Sequence, residues 1–154
     1  MPPPLVELDT SAPAANKTLT IEAGTDVHFH DNSGLIIDDK ATLKVNGTLG
    51  EKVTFQGDRL ENNFDNIPGQ WGTIWMRAGS TNNEIKYATI KNGIVGILVD
   101  SIGATTTPTL RIENSQIYNN SNYGILGRQT SITGSNLVIG NTGQSALACT
   151  IGGT

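Results

Sequence analysis

The chain is predicted to be an all-β solenoid, a parallel β-helix, on three observations. Apolar residues come in short bursts that mostly alternate with polar ones, the period of a strand. Gly- and Asn-rich corners separate the bursts. A small residue followed by an aliphatic one recurs at Thr73-Ile74, Gly96-Ile97, Gly124-Ile125 and Ala146-Leu147. Spacings of 23, 28 and 22 residues between those aliphatics mean one repeat per coil of a solenoid.

Composition agrees. At 154 residues the chain suits one domain with a real core and is short for two. Charged residues are 16% and hydrophobic ones 36%, and the polar remainder is largely Gly, Asn, Ser and Thr. That mixture holds too many β-branched residues for a disordered chain, and 18 glycines suit many tight corners. A net charge of −4 with no basic stripe makes nucleic acid and anionic membrane poor partners. No apolar run is long enough to insert in a bilayer. One cysteine, Cys149, excludes an internal disulfide framework. Met1-Pro2-Pro3-Pro4 lacks the basic start and apolar segment of a signal peptide.

In chain order, residues 1–17 read as a linker or N-terminal arm, with Leu5-Val6-Glu7-Leu8 its one adhesive piece. Residues 18–154 form the β-helix domain. Its strand-like bursts begin with Leu19-Thr20-Ile21, Val27-His28-Phe29, Leu35-Ile36-Ile37, Ala41-Thr42-Leu43-Lys44-Val45 and Val53-Thr54-Phe55. Ala23-Gly24, Asn46-Gly47 and Gln56-Gly57-Asp58 supply the turns between them. In the second half Ile-x-Asn repeats at Ile90-Lys91-Asn92, Ile117-Tyr118-Asn119 and Ile139-Gly140-Asn141. A leucine-rich repeat, the other solenoid of this period, would show a dense Leu-x-x-Leu-x-Leu pattern that the chain lacks.

Leu19-Thr20-Ile21-Glu22-Ala23-Gly24-Thr25 resembles the opening coil of right-handed β-helix repeat proteins of the pectin-lyase-like superfamily. Leu43-Lys44-Val45-Asn46-Gly47-Thr48, Val53-Thr54-Phe55 and Gly69-Gln70-Trp71-Gly72-Thr73-Ile74 carry the same resemblance. The combination is similar to uncharacterised cell-surface β-helix proteins of Bacteroidetes-type bacteria, over roughly Thr18 to Thr154. It implies a single-stranded right-handed helix of about six coils and an extracellular or cell-surface location. Its family spans lyases, hydrolases and adhesins, so it points to a fold more than to an activity.

Stacked coils put residues of successive repeats about 4.8 Å apart. Registered on the small-aliphatic pair, Leu35, Ile74, Ile97, Ile125 and Leu147 form one inward column. Ile37, Met76, Val99, Gly127 and Cys149 form a second, with Cys149 expected to be buried and unreactive. Asn92, Asn119 and Asn141 are expected to form a structural ladder at a corner, where an amide can donate to one rung and accept from the next. Asp38, Arg77, Asp100 and Arg128 form an outward column of alternating sign, a register-fixing ion ladder. Beside it Ile36, Trp75, Leu98, Leu126 and Ala148 form an apolar outward stripe, the mark of a contact surface. The excursion from Gly57 to Gln70, carrying Leu60, Phe64 and Ile67, is expected to fold over that stripe; a ligand or partner is the competing cover.

For chemistry the chain offers little. His28-x-His30 places two rings on one side of a strand but finds only Asp31 nearby, so no metal site is expected. Asp38 and Asp39 are adjacent on a strand and point opposite ways, against a glycosidase pair. Asp58, Glu61 and Asp65 lack compact calcium-loop spacing. No catalytic residues and no cofactor are expected. The C-terminal rung, Leu147 to Thr154, carries no polar cap and is expected to be open, as in a truncated solenoid or one that pairs end to end. The expected function is a non-catalytic structural, adhesive or self-assembling module. The alternatives are a carbohydrate-binding module using Trp71, Trp75, Arg77, Asp100 and Arg128, and a fragment of a polysaccharide lyase or hydrolase.

Overall fold

A computed structural model describes residues 6–7, 16–101 and 107–150. Among the described residues sixteen short strands follow one another, with one 3₁₀ turn at Asn62–Phe64. They are β1 (Val6–Glu7), β2 (Lys17–Glu22), β3 (Asp26–Phe29), β4 (Leu35–Ile37), β5 (Ala41–Asn46), β6 (Val53–Gly57), β7 (Ile74–Met76) and β8 (Asn83–Lys86). The second half holds β9 (Ala88–Lys91), β10 (Val95–Asp100), β11 (Leu110–Glu113), β12 (Gln116–Tyr118), β13 (Tyr123–Arg128), β14 (Ile132–Ser135), β15 (Val138–Gly140) and β16 (Leu147–Thr150).

Every third strand joins the same sheet. The first sheet runs β1-β4-β7-β10-β13-β16, the second β2-β5-β8-β11-β14 and the third β3-β6-β9-β12-β15. All the ladders are parallel. A chain that visits three sheets in fixed rotation, each strand stacking on the one from the turn before, is a parallel β-solenoid. Val6–Glu7, inside the stretch read as an arm, adds a strand beside Leu35–Ile36.

The corners explain the asparagines. Between the second and third sheets the chain turns on single residues with positive φ: Tyr87, Asn114 and Asn136. At the next corner Asn92, Asn119 and Asn141 do the same, at φ 67°, 54° and 49°. Asn enters the left-handed region more readily than other residues with a side chain, because its amide bonds locally. Asn141 Nδ2 donates to Asn119 Oδ1, and Asn136 Nδ2 to Asn114 Oδ1 at 2.7 Å. Of the predicted ladder one step forms, Asn119 to Asn141, and the Asn114–Asn136 pair makes a similar step at the other corner. Asn92 departs from it: its amide N–H reaches Asp65 O at 2.9 Å instead of a neighbouring asparagine. Gly47 stands at the Tyr87 corner a coil earlier, where an added Cβ would run into the Lys86 and Tyr87 carbonyls.

Inside the tube both predicted columns form in the expected register. Ile37, Ile74, Met76, Ile97 and Val99 are completely buried, as are Leu43, Val45, Phe55, Ile85, Ile90, Ile112 and Ile117 from the other sheets. Each buried aliphatic contributes roughly 1.5–3 kcal/mol, and like stacks on like along the axis.

Cys149 corrects one expectation. It lies in the inward column against Gly127, yet it is exposed. Among the described residues nothing stacks on the far side of β16, so its inward side chains are covered from one direction only. Leu147, 55% exposed, shows the same effect.

Candidate functional site

The outer face of the first sheet collects a connected set of polar side chains. Ile36 pairs with Trp75, Trp75 with Leu98, Leu98 with Leu126 and Leu126 with Ala148, all half-buried. Two residues further along each strand stand Asp38, Arg77, Asp100 and Arg128. Arg77 Nη1 lies 3.2 Å from Asp38 Oδ2, and its guanidinium sits 5.2 Å from the Trp75 ring centroid, within cation–π range. Trp75 Nε1 donates to Asp100 Oδ2 at 2.8 Å. Arg128 donates to the same carboxylate twice, at 2.6 and 2.7 Å. Four rungs are thus tied by one chain of contacts, and four of the five residues expected to form a binding surface, Trp75, Arg77, Asp100 and Arg128, meet in it.

The fifth does not. Trp71 is wholly buried, stacked on Phe29 with ring centroids 4.5 Å apart, and its indole N–H donates to Lys91 O at 2.8 Å. It belongs to the core and reaches no ligand on the sheet face.

Electrostatics follow the geometry. Burial alone would raise the Asp100 pKa, but hydrogen bonds from Arg128 and Trp75, with the charges of Arg128 and Arg77, outweigh it and hold the carboxyl below its ordinary value. Arg128 is raised by its bonds to Asp100. A bidentate Arg–carboxylate pair is the strongest geometry available to an ion pair.

The excursion before Trp71 does not cover this face. Lys91 Nζ holds Asp65 at 2.6 Å, Asn92 bonds the Asp65 carbonyl, and Asn119 Nδ2 donates to Asn66 Oδ1 at 3.1 Å. Those contacts pin the excursion to the corner between the third sheet and the first. Leu60 and Ile67 stay 65% and 47% exposed, and Phe64 lies under Arg59, 3.7 Å from ring centroid to guanidinium. Self-covering was expected from apolar content alone; three polar anchors draw the segment elsewhere.

The other titratable groups disperse. His30 Nδ1 pairs with Asp58 at 2.7 Å, on the rim of a cleft of about 520 Å³ lined also by Arg59, Glu61 and Phe64. Glu61 approaches Arg59 at 3.9 Å, so Asp58, Glu61 and Asp65 each face a different side chain, His30, Arg59 and Lys91. His28 Nδ1 lies 3.3 Å from Gly57 O. Among the described residues no three His, Cys, Asp or Glu side chains converge to hold a metal ion. Sequence reasoning missed a second ion ladder, on the second sheet. Lys44 and Arg111 flank Glu84 in register, Lys44 Nζ is 3.1 Å from its carboxylate, and the Lys44 hydrogen bond leads in lowering the Glu84 pKa. The sequence held its signal, opposite charges at outward strand positions, once the second-sheet register is known.

No known family model, curated protein or solved structure matches the chain.

Proposed function

We propose that the chain is a non-catalytic structural and adhesive module of an extracellular or cell-surface protein, with the first sheet as its contact surface. In this reading the solenoid is right-handed, of about six coils and pectin-lyase-like. The supporting observation is the Asp38–Arg77–Trp75–Asp100–Arg128 chain of contacts beside an apolar stripe. Its charges neutralise one another in pairs, so it offers a flat, rigid, mixed surface rather than an unpaired acid and base poised for proton transfer. Contact surfaces of this kind join apolar area to fixed polar groups. The test is adhesion of the chain to surfaces and polymers. Trp75→Ala is expected to abolish retention without unfolding the solenoid, and unchanged retention refutes the role of this face.

Carbohydrate binding is the second reading, favoured by a half-exposed indole beside polar groups that hydroxyls could share. Binding of neutral or acidic glycans on an array, lost in Trp75→Ala and in Arg128→Ala, would establish it. Product release from pectin-like polymers would instead establish a lyase or hydrolase. Self-association through the end rungs is supported by a hollow of about 490 Å³ lined by Ile125, Ile132, Leu137, Ile139 and Leu147. Assembly lost in Leu147→Asp would confirm that route.

A further inference from the structure

Along the solenoid the outward column at the strand ends reads Asp38, Arg77, Asp100, Arg128: minus, plus, minus, plus. An alternating column with an even number of charges presents the opposite sign at every position when it is reversed end for end. Two copies laid face to face with their solenoid axes antiparallel therefore bring Asp38 opposite Arg128 and Arg77 opposite Asp100, each twice. With axes parallel, aligning the two columns would set every charge against its own sign, which costs binding energy. The apolar stripe reverses about the same centre. Ile36 then meets Leu126, and Trp75 meets Leu98, large residue against large residue.

We propose that the first sheet docks a second copy of this chain, with a two-fold axis parallel to the strands between the β7 and β10 rungs. The proposal rests on reading this face as a contact surface and goes beyond it by naming the partner. Within each copy the Asp38–Arg77 and Asp100–Arg128 pairs point the same way along the axis. The partner's pairs point the other way, so the two sets attract side by side. Sheets packed face to face lie about 10 Å apart with strands within about 30°, which leaves room for Trp75 and the leucines between them. Five strands of up to six residues, β4 to β16, present roughly 400 Å² in projection. That is below the ~800 Å² per partner of a standard interface, so a reversible dimer is expected.

Sedimentation of the full chain from about 1 μM to about 1 mM, at low salt, tests this. A monomer–dimer equilibrium is expected. Arg128→Asp turns two attractive contacts into repulsive ones and is expected to weaken the dimer at least ~10-fold. Adding Asp38→Arg makes the column plus, plus, minus, minus, which again meets its opposite when reversed. The double variant is expected to return to within ~3-fold of the parent, although both pairs inside each copy have become like-signed. If the charges serve only their own chain, the second change weakens association further, and the proposal falls. It falls equally if the chain is monomeric throughout, or if the dimer ignores Arg128→Asp, as end-on pairing would. Iodide quenching is the second readout: access to Trp75 should drop as concentration rises, against a constant background from buried Trp71. A monomer that still binds polymers through Trp75 would sink the dimer and leave the contact-surface reading standing.

Discussion

Trp75 and Asp100, 25 residues apart in sequence, are neighbours across one rung, where the indole N–H donates to the carboxylate at 2.8 Å. Arg128 clamps the same carboxylate from the following rung. One aspartate thus satisfies groups on two other strands, and its removal should cost more than a surface ion pair would. Asp100→Ala leaves the indole N–H and the guanidinium without this acceptor, and a loss of about 1–3 kcal/mol is expected. Asp100→Asn keeps an acceptor for the indole and should cost about 1 kcal/mol or less. Urea unfolding of the two variants separates them.

Acid should weaken the solenoid through the same group. Asp100 and Glu84 are held below their ordinary values of 3.8 and 4.5, so the unfolded chain binds their protons more readily than the folded one. Their contribution is complete above those values and is lost as pH falls through the lower folded pKa of each. Stability should be flat near neutrality with respect to these two groups and decline in the acid range. In Asp100→Asn/Glu84→Gln that decline should be shallower, measured by denaturant midpoints at successive pH.

The two tryptophans should behave as opposites. Trp71→Ala empties a site stacked on Phe29 and is expected to cost about 3–5 kcal/mol. Trp75→Ala truncates a half-buried outer side chain and should cost markedly less, while removing adhesion. Thermal melts beside a retention assay would show the split; equal destabilisation would contradict the burial difference.

Asn119 combines a left-handed backbone, φ 54°, with amide contacts to Asn66 and Asn141. Asn119→Ala should lose both, about 1–3 kcal/mol in total. Asn119→Gly restores the backbone but not the amide and should recover about 1 kcal/mol of that. Equal losses in the two variants would mean the backbone contributes nothing.

The first sheet was legible because each of its later strands carries, at or near its start, a small residue followed by an aliphatic. That pair fixes register whatever the intervening length, so both inward columns and both outward ones follow from it. The second sheet has no such marker. Lys44 and Glu84 are 40 residues apart and Glu84 and Arg111 only 27, because the Gly57–Gln70 excursion falls in the first interval. The ladder they form was hidden by unequal loops. Trp71 was misplaced for a related reason. It precedes its strand, and its partner Phe29 comes from another sheet, so the strand period says nothing about where its ring points. The destination of the excursion was illegible too: its apolar residues suggested a lid, whereas Asp65 and Asn66 find partners at a corner.

That corner gives the excursion a practical use. Its anchors sit at Asp65 and Asn66, whereas Leu60 projects into solvent. A dye, an epitope or a whole guest domain spliced near Leu60 would ride on the flank of the rod. Strand register, the interior stacks and the first-sheet face should be left as they are, so the chain can be labelled or tethered without touching the surface on which it is proposed to act.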